Sequence, residues 1–194
     1  DTTDIAYGKE LGYTLKLLAI AKDTPQGVEA RVHPAFVKDD NPLSSVSGPF
    51  NAVMLHGDMV DDIMLYGRGA GSLPTGSAIV SDVIFAGKTQ EHRYSSFDNT
   101  DEAGEKTVFN QNFESRYYIR LTTENIAGVL KDITGIFCDH EISITAITQK
   151  EVKGDKASII FITDTTSENQ IKQALNEINA LKTLKKIDAL IRVE

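Results

Sequence analysis

Residues 117–150, YYIRLTTENIAGVLKDITGIFCDHEISITAITQK, decide how the second half of this chain folds. Tyr117 to Thr122 reads as a strand. Ala127 to His140 then repeats apolar residues at Val129, Leu130, Ile133, Ile136 and Phe137, the spacing of one helical face. Ile142, Ile144 and Ala146 return to a period of two, so Ile142 to Lys150 is a second strand. Working outward, Lys153, Gly154 and Asp155 predict a hairpin turn, and Ala157 to Asp164 a third strand. Ser167 to Ala180 is an amphipathic helix through Ile171, Leu175 and Ile178, with Ser167 as its cap and Glu168 in its first turn. Lys185 to Val193 closes the series as a fourth strand. The order βαββαβ is the ferredoxin-like arrangement, and right-handed crossovers put both helices on one sheet face.

The first half reads differently. Asp4 to Leu11 predicts a helix that Gly12 stops, with Asp4 as its cap. Tyr13 to Lys22 suits strand or helix by its apolar content. The glycine before it and the turn residues 23–27 after it favour a strand, paired as a hairpin with Val28 to Val37. There Val28, Ala30 and Val32 alternate with Glu29, Arg31 and His33, the period of a half-buried strand. Asp39 to Gly48 is a polar connection with one short helical turn. Asn51 to His56 and Ile63 to Tyr66 predict two further strands joined around Gly57 and Asp58. The four strands are expected to form one open antiparallel sheet.

Tyr66 to Asp82, YGRGAGSLPTGSAIVSD, places Gly67, Gly69 and Gly71 before a helix predicted to start at Pro74 and Thr75, with Ala78, Ile79 and Val83 near one face. Such a junction is either a plain connection or a backbone that lets an anionic ligand approach a helix start. It is not the dinucleotide fingerprint, because Ser72 follows Gly71 where the spacing would need to continue to a later glycine. Thr89 to Glu114 is polar and aperiodic and is expected to be a linker, ordered only where Tyr94, Phe97 or Phe109 finds a groove.

Bulk properties exclude several classes. A formal net charge of −8 and the lack of a basic cluster argue against nucleic acid. No apolar run approaches the ~20 residues of a membrane span. The single cysteine, Cys138, cannot form an internal disulfide, suits a cytoplasmic setting and is expected in the core. His33, His56, His92 and His140 are dispersed and read as structural or surface residues rather than metal ligands. Asp58, Asp61 and Asp62 read as a solvated hairpin end, not a cation site.

Four collinear blocks carry a more specific signal: KELGYTLKLLAIAK at residues 9–22, VEARVHP at 28–34, NPLSSVSGPFNAV at 41–53 and YGRGAGSLPT at 66–75. Together they resemble the carboxy-terminal half of homoserine dehydrogenase. RLTTENIAGVL at 120–130 and HEISITAITQK at 140–150 resemble an ACT domain. Asn125 and Ala127 stand where that family usually has Asp and Pro, and Glu141 where a small residue commonly ends the first helix.

The resemblance implies an α+β chain in three parts. Residues 1–88 would belong to the catalytic and dimerisation domain, 89–115 to a linker and 116–194 to an ACT regulatory domain. It implies NAD(P)-dependent interconversion of L-homoserine and L-aspartate 4-semialdehyde, in threonine and methionine biosynthesis. Gly71 would lie near the nicotinamide cofactor, NADP or NAD, supported by Gly69, Ala70 and Thr75. The acid–base lysine and main dinucleotide loop are assigned outside this sequence. With no Met at Asp1 and no nucleotide-binding βαβ opening, the chain is expected to be a piece of a longer enzyme, inactive alone. Its implied partners are its own amino-terminal nucleotide-binding domain, further copies in a homo-oligomer, and an amino-acid effector, threonine above others. That effector would bind at Asn125, Ala127, Gly128, Val129 and Leu130. The alternative is a free-standing, non-catalytic module for amino-acid binding or dimerisation.

Overall fold

The computed structural model describes residues 1–88, 107–151 and 154–194. In chain order the elements are α1 (Thr2–Glu10), β1 (Tyr13–Thr24), β2 (Gly27–Lys38), a 3-10 turn (Pro42–Ser45), β3 (Phe50–Gly57), β4 (Asp61–Arg68), α2 (Ser72–Lys88), β5 (Glu114–Glu124), α3 (Val129–Asp139), β6 (Ile144–Glu151), β7 (Lys156–Thr163), β8 (Thr166–Ser167), α4 (Glu168–Asn179) and β9 (Leu184–Val193). They divide into two compact units. One joins residues 1–39 to 108–194, and the other is 40–107.

The expected βαββαβ series is present as β5-α3-β6-β7-α4-β9. Its strands lie in the order β9-β5-β7-β6. Val129, Ile133 and Phe137 of α3 and Ile171, Ala174, Leu175 and Ile178 of α4 close on Tyr117, Ile119, Leu121, Ile159 and Phe161 of the sheet, so both helices cover one face. The start of α4 is fixed by a capping box in which Ser167 and Gln170 satisfy each other's backbone amides. Cys138 is exposed, against expectation. The buried stripe of α3 runs through residues 129, 133 and 137, and residue 138 is turned about 100° away from its last member.

The four strands of the first half do not share a sheet. β1 and β2 form the predicted hairpin, with Tyr13 opposite Lys38 and Thr24 opposite Gly27. That hairpin joins the second-half sheet, through β2 running parallel to β9 at Ala35–Arg192 and Phe36–Val193. The order is thus β1-β2-β9-β5-β7-β6, while β3 and β4 pair only with each other. An open β9 edge would present a row of unpaired amide and carbonyl groups, and β2 covers part of it.

The face of β2 turned inward is also not the apolar one. Val32 is 70% exposed, whereas Glu29 and His33 are buried. Arg31 balances the inward carboxylates: it pairs with Glu29 and, at 3.0 Å, with Glu194, and its guanidinium lies 4.2 Å from the centre of the Phe113 ring. Paired charge outweighs hydrophobic alternation here.

On the sheet face away from α3 and α4, Phe36, Tyr118, Ile160, Ile162 and Val193 form a second core, against which Tyr7 and Leu11 of α1 pack. Asp1, not Asp4, caps α1. Asp4 is buried, and Arg120 grips both of its carboxylate oxygens, at 2.7 and 3.0 Å. Burial alone would raise the Asp4 carboxyl. The Arg120 hydrogen bonds and charge, with the Tyr118 hydroxyl, outweigh it and hold the carboxyl well below the ordinary carboxylate range.

In the 40–107 unit, β3 and β4 pair from Phe50–Arg68 to Gly57–Asp61. Val53, Leu55, Ile63 and Leu65 share one hairpin face by this register and are all exposed. No residue of α2 is buried, Ile79 and Val83 included. The linker residues Tyr94 and Phe97, His92 and the turn residue Lys153 lie outside the described residues. Phe109 bridges Val28 and is exposed.

Candidate functional sites

The glycine loop between β4 and α2 is built on β3. Gly69 and Ala70 both donate their amides to the Pro49 carbonyl, at 3.2 and 3.3 Å, so neither is free for a ligand's phosphate. A Cβ on Gly69 would lie 2.2 Å from Nδ2 of the exposed Asn51 side chain, which would have to turn aside. Gly71 differs. Its φ of +116° needs glycine, while an added Cβ would meet only Pro74, at 3.5 Å, which leaves the backbone approachable.

Helix α2 begins at Ser72, two residues before the expected start, and the Thr75 amide already bonds to the Gly71 carbonyl at 3.1 Å. Ser72 and Leu73 therefore carry the leading amides, since Pro74 has none. Phe50 and Tyr66 stack at 4.9 Å, with the Arg68 guanidinium 5.2 Å from the Phe50 ring centre, placing an exposed cation just before the loop. Pro49, Asn51 and Arg68 escaped the sequence reading because the β3–β4 register brings them to the loop. The dipeptide before Asn51, with a proline carbonyl, was their one legible signal.

The second candidate is the loop from Asn125 to Gly128. Asn125 donates its amide to the Asp155 carbonyl at 2.8 Å, and its side-chain oxygen accepts from Gln149 Nε2 at 3.3 Å. Gly128, at φ +98°, is the N-cap of α3 and has no side chain to satisfy the helix's first amides. Those amides carry the partial positive charge of a helix start. The structure divides the five sequence-predicted residues by role. The Val129 side chain is in the core, Asn125 and Ala127 are exposed, and Leu130 is 39% exposed beside Ile126 at 56%. Gln149 of β6 was missed, since only the sheet register sets it near this loop; Ile147, two residues earlier on the same strand, is also exposed.

At the end of α3, Glu141 takes the left-handed conformation, φ +57°. The Ile142 amide bonds to Phe137 O and the Glu141 amide to Cys138 O, the pair that closes a helix when glycine sits at this position. His56 pairs with Asp62 and His140 with Glu177. Among the described residues no three His, Cys, Asp or Glu side chains gather as a metal site.

Residues 1–84 match the family model described as homoserine dehydrogenase, and residues 117–183 match the ACT domain model. A homoserine dehydrogenase of Helicobacter pylori is 36% identical over 192 residues, covering 98% of this chain and 45% of that protein. One of Neisseria gonorrhoeae is 36% identical over 201 residues, covering 100% and 46%. Among solved structures, a homoserine dehydrogenase from Thiobacillus denitrificans superposes with a TM-score of 0.83 at 33% identity, over 99% of this chain and 45% of its own. The chain spans a little under half the length of the relatives it matches.

Proposed function

We propose, for a chain that belongs to the homoserine dehydrogenase family over residues 1–84 and to the ACT domain family over 117–183, that it forms the sensor-bearing part of a cytoplasmic NAD(P)-dependent homoserine dehydrogenase. The reaction is the interconversion of L-homoserine and L-aspartate 4-semialdehyde. The observation that carries this reading is collinearity: relatives of that activity align with 98–100% of the chain.

A nicotinamide cofactor supplies the hydride in this chemistry. The chain's own contribution is a close-approach surface at Gly71, whose left-handed φ and open Cβ direction suit a flat ligand against backbone. Gly69 and Ala70 hold that turn on Pro49 rather than touching the ligand, and the Thr75 amide locks the first turn of α2. The acid–base lysine belongs to the rest of the enzyme, so the chain alone carries no turnover. Its partners are that nucleotide-binding part and a second copy, for which the bare Val53, Leu55, Ile63 and Leu65 face offers apolar surface.

The test is to join this chain to the nucleotide-binding half of a relative and follow NADPH oxidation with aspartate semialdehyde. Gly71→Val is expected to raise cofactor KM at least tenfold, and an unchanged KM removes Gly71 from the site. Turnover by the chain alone would refute the division of labour.

The ACT segment senses an amino acid, threonine first, whose carboxylate meets the uncapped amides at the start of α3 while Ile126, Leu130 and Ile147 take its side chain. A dimerisation-only module is the second reading, favoured by Asn125 being tied to Asp155 and Gln149. Calorimetric titration with threonine separates them: a pure dimerisation module gives no saturable heat.

A further inference from the structure

We infer that docking of α1 on the sheet and ligand occupancy of the Asn125–Leu130 loop are energetically linked, α1 acting as a latch that reports the sensor's state to the homoserine dehydrogenase segment. The inference rests on the amino-acid-sensing reading above.

Three side chains pin α1, and all stand on the two strands that the loop touches, β5 that it leaves and β6 that it hydrogen-bonds. Arg120 of β5 grips Asp4 with two hydrogen bonds, reaches the Asp1 carboxylate at 3.1 Å and approaches Asp188 of β9 at 3.8 Å. Tyr118, two residues earlier on the same strand, donates to Asp4 at 3.1 Å. Lys150 of β6 pairs with Glu10 at 2.8 Å and lies 5.5 Å from the Tyr7 ring centre. Asn125 follows directly on the end of β5, and Gln149, the neighbour of Lys150, is its hydrogen-bond partner. The loop and the latch therefore share β5 and β6 as supports. They also cross the family boundary, because α1 lies within residues 1–84 and Tyr118, Arg120 and Lys150 lie within 117–183.

Coupling needs an element with two discrete positions, and α1 is one. It has nine residues, too few to hold a helix in water once released, so it is either docked and helical or free and unravelled. The sign follows from ordering. Docking steadies the end of β5 from which the loop departs and the β6 residue beside its partner Gln149, so a ligand that settles the loop then loses less conformational entropy. Threonine is thus expected to favour the docked state, and the docked state to favour threonine by the same factor.

Hydrogen exchange on the full chain with and without saturating L-threonine reads the linkage directly, with the other protein amino acids titrated in turn. Expected are slower exchange of amides 5–11 by about fivefold or more, within the usual range of coupling, and a matching loss of threonine affinity in Arg120→Met. Lys150→Met, at a side chain 37% exposed in its ion pair, guards against a folding failure of Arg120→Met and is expected to weaken binding in the same direction. Protection at 125–130 with no change at 5–11 overturns the latch and leaves the sensor reading standing. No saturable heat and no protection from any amino acid overturns the sensor reading and the latch with it.

Discussion

Gly8→Ala and Gly135→Ala are chemically the same change, each inside a helix, and the structure gives them opposite signs. In a helix interior, alanine is favoured over glycine by about 0.8–1 kcal/mol. At Gly135 in α3 nothing lies within 4 Å of the added Cβ, so the full gain is expected. At Gly8 in α1 the Cβ would sit 2.3, 2.7 and 3.0 Å from three ring carbons of Phe36. That ring is fully buried, edge-on to Tyr118 at 5.0 Å and tilted against Tyr13 at 6.2 Å, so it has no open side to turn into. Relief requires the helix or ring to move by about 1 Å, an overpacking cost of roughly 1–3 kcal/mol.

The net expectation is a gain of about 1 kcal/mol for Gly135→Ala and a loss of about 1 kcal/mol for Gly8→Ala. For a chain of this length each kcal/mol moves Tm by about 2–4 °C. Both helices belong to the same compact unit, so one thermal or urea transition reads both variants. Phe36→Leu, which shortens the obstructing side chain, should be less damaging in the Gly8→Ala background than in the parent, giving a coupling energy of about 1 kcal/mol. The packing of α1 on Phe36 is refuted if Gly8→Ala raises Tm as Gly135→Ala does, or if the double-mutant cycle shows no coupling.

Glu141→Gly should stabilise by about 1 kcal/mol, because the closing hydrogen bonds of α3 already hold residue 141 in the left-handed region that costs a side chain roughly that much; a urea midpoint that does not rise rejects the account. His33 is held below its ordinary pKa chiefly by burial, which the charges of Arg192 and Arg31 assist against the Pro34 carbonyl and Glu194. The unfolded chain binds a proton near pH 6.5 that the fold resists. Stability should therefore be full above that pH and fall as pH drops through it, and His33→Gln should flatten this dependence between pH 7 and 5. Asp4 behaves otherwise: its depressed pKa keeps its contribution intact until pH falls below about 4. Arg120→Met leaves the Asp4 carboxylate buried without its cation and should cost about 3–5 kcal/mol, whereas Asp4→Leu with Arg120→Met should recover most of it. Urea midpoints of the two single variants and the double one decide the matter.

The second half of the chain was legible because its elements obey local rules. Val129, Ile133 and Phe137 repeat at helical spacing, Ser167 caps α4, and β5 through β9 follow in an order that right-handed crossovers resolve into one sheet with both helices on one face. The family blocks, the hairpin of β1 and β2 and the left-handed demand at Gly71 are equally local, a matter of residue type and neighbours. Tertiary structure decided what depends on partners far along the chain. Which edge β2 joins, why charged Glu29, Arg31 and His33 face inward while Val32 faces water, and why Asp4 serves Arg120 rather than capping its helix are set by residues more than a hundred positions away. Sequence periodicity records how a strand or helix divides apolar from polar. It cannot record that Glu194, from the far end of the chain, gives Arg31 and its neighbours a reason to face inward.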